Sequence, residues 1–549
     1  MRKSLLTSVV ALVLVGVACR SSPTAPHGPQ RAQTDTAPRR GLELATYWGT
    51  GPANNRTVAV DRAGNVYMSG GTSQPDWPAT LPLPHSPGRY PDVTVVKFDP
   101  TGRPLWSALI GGPGEDYAYV SAVDDAGNLY VAGRAGPGFP TTAGAFDRTF
   151  HGGIGSGPHG PTDAFVAKLT TDGQLVYSTY IGGNGDDVAR AIHLFPSGKV
   201  AVAGGNSTST DLPTDKGTLP GPVLKPRRGG AKDGYVAVLS ADGSSLDFCT
   251  YFGPSDDSED RGDETIRGLG ADADGNIWIG GTTHGSDLVP TADAFQKVRG
   301  SPPPSGEAFI AKLSADGKRL VYFSWIGGNG NDEIETEGVS DAAGNFFVAG
   351  STASTNFPTT PGAFQTTLKG GSGERFDGDG WVARINNDGT LGFATLYGGS
   401  TVGPESFFGP VVDAAGNVYC TGRFRSTDCP VTSDAFQPQK AGGPDTQDAV
   451  LAVFSPDGRR LLYGTYFGGS GTDHGRHIGI HPDGRTVVII GETNSTDLPL
   501  ARPPQSTPSG AFLAKFSTPL ASVSPSTDVR RAGSGPADAA SRGNGRGSR

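Results

Sequence analysis

Apolar and polar residues alternate along most of this chain in runs of about seven residues, the period of a half-buried strand. "DAFVAKL" at Asp163 and "KVAVAG" at Lys199 are typical, and each run stops at a cluster of Gly, Asp, Asn or Pro. No long stretch carries apolar residues at helical spacing, so the pattern predicts strands and turns throughout. The runs recur in a fixed order. A segment like "STYIGG" (Ser178) returns at Ala45, Ser107, Cys249, Phe323, Ala394 and Gly464, spaced by roughly 70 residues, the mark of a repeat architecture.

Two further segments keep the same phase. "DAAGNFFVAG" at Asp341 has counterparts at Asp61, Asp124, Phe195, Asp272, Asp413 and His481. Each joins two alternating runs through a turn whose Gly and Asn tolerate positive φ, which reads as a hairpin. "DAFVAKL" has counterparts at Asp92, Asp233, Glu307, Asp379, Asp448 and Gly510. Four strands per repeat and seven repeats predict an all-β, seven-bladed β-propeller of four-stranded antiparallel blades.

The combination of "YSTYIGG", "DAAGNFFVAG" and "DAFVAKL" resembles the seven-bladed beta-propeller (SBBP) repeats of secreted bacterial proteins, over roughly Leu42 to Ser517. The rhythm is also similar to that of NHL-type propellers, in which the strand before the "DxxGN" turn is innermost. That comparison implies strands A to D from the axis outward, with "STYIGG" segments as D. The chain then opens on a D strand, Leu42 to Trp48, and closes on a C strand, Ala511 to Phe516. The last blade has to take its fourth strand from the N-terminus, which removes the open edge of the ring.

The ends of the chain read differently. "MRKSLLTSVVALVLVGVAC" has a basic start, an apolar run and small residues (Gly16, Val17, Ala18) before Cys19. It resembles a bacterial lipoprotein signal, with residues 1–19 as the signal and Cys19 as the lipidated residue, although Gly16 stands where that pattern has leucine. Plain secretion is the other reading. Residues 20–40 form a Pro/Ser/Thr/Arg-rich tether and 520–549 a Gly/Ser/Ala/Arg-rich tail, both too polar to fold, which leaves 41–519 for the propeller. The expected place is the outer membrane or cell surface through the lipid anchor, or the periplasm or exterior. A net charge of -9 argues against nucleic acid as partner. The 84 glycines and 44 prolines fit many short strands and turns.

Candidate chemistry is sparse. The B-to-C connections are long and unlike one another, which makes their face the expected binding face. On the same face lie carboxylates just before each inner strand: Asp116, Asp187, Asp332 and Asp473, with Glu264 and Glu405 less regularly spaced. They form either a ring that attracts cations or a basic partner, or a set of caps for backbone N–H groups. "DDSEDRGDE" supplies Asp256, Asp257, Asp260 and Asp263 as candidate calcium ligands without the full alternating pattern, and otherwise reads as a solvated loop. No other cofactor is implied. Cys420 and Cys429 replace bulky apolar residues of other blades, which suggests a disulfide in an exported chain, or else two small buried hydrophobes. Cys249 reads as an unpaired buried thiol.

These residues support a monomeric, non-enzymatic binding or scaffold module for a protein or polysaccharide of the cell envelope. An alternative is a carbohydrate- or lactone-directed lyase or hydrolase with a site at the channel mouth, for which His474, Arg476 and His477 are the nearest candidates. A structural spacer or adhesin is the third reading. Propeller repeats specify an architecture better than an activity.

Overall fold

A computed structural model describes residues 41–49, 54–86, 90–153, 160–255, 264–371, 378–481, 484 and 486–517. Cys19, the tether, the tail and the calcium candidates Asp256, Asp257, Asp260 and Asp263 lie outside the described residues. All regular elements among the described residues are strands, arranged in seven separate antiparallel sheets. The chain is a seven-bladed β-propeller. In blade 2, for example, strands A to D are Tyr117–Val123, Leu129–Ala135, Asp163–Leu169 and Leu175–Ile181.

Blade 7 closes the ring as the sequence implies. Its strands A to C are Asp473–Ile480, Thr486–Thr493 and Ala511–Ser517, and its strand D is the N-terminal Leu42–Tyr47, paired antiparallel with Thr46 opposite Leu513. Leu42, Leu44, Ala45 and Tyr47 are all buried in this pairing.

The A-to-B hairpins are built by one side chain. Asp341 Oδ1 accepts from the N–H groups of Ala343 and Asn345, both at 2.9 Å, and Asn345 Nδ2 donates to Oδ2. Gly344 then takes φ +78°, which an L side chain resists. The same bonds recur at Asp61, Asp124, Asp272 and Asp413. Between blades the core is apolar and aromatic. Trp278, Trp325 and Trp381 are fully buried, and Trp278 stacks on Phe346 of the next blade at 5.8 Å.

Two inner strands are irregular, and that of blade 3 is only shortened, to Ala191–Leu194. The innermost strand of blade 5 is interrupted into Asp332–Ile334 and Val339–Ser340; Glu335 N still donates to Ala349 O at 3.3 Å, and the chain then bulges away from the sheet before Val339.

Candidate functional site

The six carboxylates before the inner strands act at the blade junctions. Gly112, Gly183, Gly328 and Gly469 donate their N–H to Asp116, Asp187, Asp332 and Asp473 at 2.6 to 2.9 Å, and Gly399 donates to Glu405 at 2.9 Å. The same carboxylates accept from the start of the B-to-C loop: Ser209 Oγ on Asp187, Ser354 Oγ on Asp332, Ser495 Oγ on Asp473, Ser426 N on Glu405. Glu264 accepts from His284 N at 2.8 Å. All six are buried, and their bonds tie the D-to-A crossing to the next loop. Of the two readings the sequence left open, this geometry is that of capping, and these groups present no charged ring to solvent.

A second carboxylate faces each of several caps from the start of strand C. A Cβ on Gly398 would lie 2.4 Å from Asp379 Oδ1 and 2.7 Å from Glu405 Oε2, and one on Gly327 would lie between Glu307 and Asp332. Burial is the largest cause raising these groups, and the neighbouring carboxylate adds to it: Asp116 rises to about 8, Asp163 to about 8, Asp332 to about 7 and Glu405 to about 7.

The B-to-C loops, expected to be unlike, share their first turns. Tyr180, Tyr251, Tyr466 and Tyr47 of strand D each accept a loop N–H, from Phe139, Leu212, Cys429 and Leu498, and donate to a loop carbonyl three residues earlier. Farther on, the hydroxyls of Thr179, Thr250, Thr395, Thr465 and Thr46 each take a loop N–H. The conserved shape of "STY" therefore belongs to loop anchoring, a role that no reading of the strand alone reveals.

The channel holds what the sequence reading missed. In blades 1, 2, 4 and 7 the inner strand shifts register around its third or fourth residue, at Arg56, Tyr119, Arg267 and Arg476. A bulge re-aims the extra residue, here toward the axis. With Arg190 and Phe408 these residues line a cavity of about 150 Å³ in the channel, at the level of the third to fifth residues of the inner strands. The blade 5 excursion supplies the rest of the wall as Glu335, Thr336 and Glu337.

That excursion bridges the channel. Arg267 of blade 4 donates to Glu335 O at 3.1 Å and pairs with its carboxylate at 3.4 Å. Glu337 Oε2 accepts from His477 Nε2 of blade 7 at 2.7 Å, while His477 Nδ1 accepts from Val58 N of blade 1 at 3.2 Å, which fixes the Nε2–H tautomer. His474 is held as firmly: Nε2 lies 2.5 Å from Gln447 Oε1 and Nδ1 3.4 Å from an Arg476 nitrogen. Burial, followed by the Arg476 and Arg423 charges, lowers His474 to about 3. The structure thus gathers the predicted His474, Arg476 and His477, but both nitrogens of each ring are engaged.

Charge in the channel is unevenly compensated. Glu492 pairs with Arg476 at 2.8 Å and Arg56 at 3.4 Å, and Glu115 pairs with Arg134. Arg190 makes no ion pair with a carboxylate among the described residues; it lies over the Tyr119 ring at 3.8 Å. Burial lowers Arg190 to about 10, and the Arg267, Arg56 and Arg134 charges act in the same direction.

Cys420 and Cys429 are free buried thiols, which corrects the expected disulfide. Both belong to one apolar cluster, but Cys429 Sγ points to Glu405 Oε1 and Ser426 O, each at 3.8 Å, while Cys420 packs in mid-strand opposite Ala452. Cys249 is free and buried, as read from the sequence. No group of three or more metal-ligating side chains occurs among the described residues.

Known proteins resemble this chain only distantly. No family model matches it, so the likeness to SBBP repeats rests on the motifs alone. The Regulatory protein FlaEY of Caulobacter vibrioides is 25% identical over 324 residues, 54% of this chain, and the chain spans 28% of that protein's length. Among solved structures, the RRP9 WD40 repeats are 9% identical with a TM-score of 0.44, covering 87% of this chain and 99% of that one. U3-55K is 9% identical with a TM-score of 0.45, covering 87% and 100%. An unknown-function protein from Dyadobacter fermentans is 10% identical with a TM-score of 0.37, covering 88% and 100%. What the chain's own strands establish is a seven-bladed β-propeller repeat protein.

Proposed function

We propose that this protein is an exported, lipid-anchored, non-enzymatic binding module whose recognition surface is the channel mouth and the anchored B-to-C loops around it. The observation that carries this reading is the blade 5 excursion. It breaks the pseudo-symmetry of the ring and leaves an asymmetric, charged cavity in the channel. Ligand sites are typically few, concave and lined by a small number of placed polar groups. The neighbouring histidines already spend both ring nitrogens on protein partners, so they serve as supports and not as acid or base. The description of the distant Caulobacter relative as a regulatory protein is in keeping with a chain that acts by binding. Partners of the envelope, protein or polysaccharide, fit export through Cys19.

Two measurements test the reading. Metabolic labelling with a palmitate analogue should mark the wild type and not Cys19→Ala; labelling of neither places the chain as secreted without an anchor. Thermal-shift screening of the full chain against envelope glycans and small solutes should find a stabilising ligand. A ligand consumed or altered during incubation would overturn the non-enzymatic reading.

A further inference from the structure

Every blade presents the residue at the same step of its innermost segment to the channel cavity. In blades 1, 3, 4 and 7 that residue is an arginine: Arg56, Arg190, Arg267 and Arg476. Blades 2 and 6 place Tyr119 and Phe408 there, and blade 5 places Glu335. Three of the arginines have a carboxylate partner: Arg56 and Arg476 share Glu492, and Arg267 pairs with Glu335. Arg190 has no such partner among the described residues and donates no side-chain hydrogen bond to them; its guanidinium packs on the Tyr119 ring at 3.8 Å. None of its nitrogens is a buried, unpartnered atom, so the N–H edge faces open space in the channel.

The charged surface that the cavity sees is mainly cationic. The Arg56 and Arg267 side chains keep 30% and 24% of their surface accessible, whereas Glu335 and Glu337 keep 7% and 12%. Both acids also have partners already: Glu335 has Arg267 and Ser351 Oγ, the latter at 3.2 Å, and Glu337 has His477. Cations lining a recess with low-dielectric walls focus their potential into it. Burial, with the charges of Arg267, Arg56 and Arg134, disfavours the Arg190 cation, a cost that a bound anion offsets. A cavity of about 150 Å³ is the size known to take a benzene-sized ring, so it admits a compact oxoanion and little more.

We propose that the channel cavity is an anion site in which Arg190, with Arg56 and Arg267 in the same wall, binds one free inorganic oxoanion of sulfate or phosphate size. This rests on the binding reading above and names the ligand class of that site. A guanidinium offers two parallel N–H groups that match two oxygens of such an ion. Tyr119 covers one face of Arg190, which leaves the approach in the guanidinium plane to the ion. An ester of the same ion carries a substituent for which the recess has no room, so size selects the free ion.

Calorimetric titration of the full chain in low-salt buffer with sodium sulfate, sodium phosphate, glycerol phosphate and sodium chloride tests it. One sulfate or phosphate per chain is expected, with glycerol phosphate and chloride each weaker by roughly tenfold or more, the first for want of room and the second for want of paired oxygens. Arg190→Gln removes no ion pair of the folded chain; it should weaken sulfate at least about tenfold and leave the anion-free melting temperature unchanged or higher. Glu335→Gln takes a negative charge out of the same wall and should tighten sulfate, so the two variants move in opposite directions and either carries the test if the other does not fold. Silence with both oxoanions, several ions bound per chain, chloride or glycerol phosphate as tight as sulfate, or sulfate binding indifferent to Arg190→Gln would each overturn the proposal. So would weakening by both variants alike. A glycan or protein that binds wild type and Arg190→Gln alike, with both oxoanions silent, would sink this site and leave the module reading standing; oxoanion binding by a chain that no envelope ligand stabilises would do the reverse.

Discussion

Gly398 shows how a single position is decided by its neighbours. Its backbone is not in the left-handed region, so the glycine is there for space: a Cβ would meet Asp379 Oδ1 at 2.4 Å and Glu405 Oε2 at 2.7 Å. Gly398→Ala should therefore push two hydrogen-bonded carboxylates apart and destabilise by roughly 1–3 kcal/mol, as overpacking does. Gly443→Ala, with nothing within 4 Å and no positive φ, should be neutral in the same denaturation assay. Equal effects of the two would refute the crowding account. The Gly-Gly and the following acid were visible in the sequence, but their meaning was not. The second carboxylate comes from the start of the preceding strand C, across a whole hairpin, and no local spacing announces it. The cysteines teach the same lesson, since Cys420 and Cys429 share a cluster in space without sharing a direction. Thiol labelling in denaturant without reductant should recover both as free; protection of the pair would contradict the structure.

At the scale of strands, period and turn chemistry placed blades and hairpins, and the likeness to NHL-type propellers supplied the phase that implies the borrowed N-terminal strand. Removing Leu42–Tyr47 withdraws Leu42, Leu44 and Tyr47 from the core and re-exposes the edge of Ala511–Ser517. Three such side chains are worth ~1.5–3 kcal/mol each, so the deletion should cost at least about 5 kcal/mol in chemical denaturation. An unchanged midpoint would mean that the ring is closed otherwise. The broken inner strand of blade 5 escaped the repeat reading. Its signal is present in hindsight: "EIETEG" carries the alternating acids Glu333, Glu335 and Glu337, and Glu335 stands three residues after its cap carboxylate, where other blades carry Arg190, Arg267 or Arg476. Alternating acids still look like a strand, and only the distant His477 and Arg267 pull the segment out of the sheet. The arginine bulges were hidden for a similar reason, because a one-residue insertion changes the facing of a side chain without changing the composition.

For the molecule as a whole, the buried carboxyl pairs repeated around the ring predict how stability depends on pH. Burial raises Asp116 and Asp163 to about 8, Asp92, Asp332 and Glu405 to about 7, and Asp187 to about 6, and a facing acid adds to it at Asp116, Asp163, Asp332 and Glu405. In the unfolded chain such groups titrate near 4. A folded value above the unfolded one means that the fold holds protons the open chain has released. The stabilisation is complete below about pH 4 and is lost as pH rises through 6 to 8. Asp124 and Asp272, held below the ordinary range by Asn and Lys partners despite burial, act oppositely and lose their contribution in acid. The melting temperature should therefore peak in mildly acidic buffer and fall by at least about 4 °C between pH 5.5 and 8.5, since ~1 kcal/mol shifts a large domain by roughly 2–4 °C. A flat or rising profile would reject the paired-acid account. Asp163→Asn separates pairing from mere burial. Asp163 Oδ2 accepts from His151 N at 2.7 Å and its other oxygen has no hydrogen-bond partner, while the Asp187 charge raises it. An amide keeps the acceptor for His151, presents a permanent donor toward Asp187 and cannot ionise. The variant should match wild type at pH 5.5 and melt higher at pH 8.5. If it is instead weaker at both, the junction needs the carboxylate for its charge and not for a shared proton.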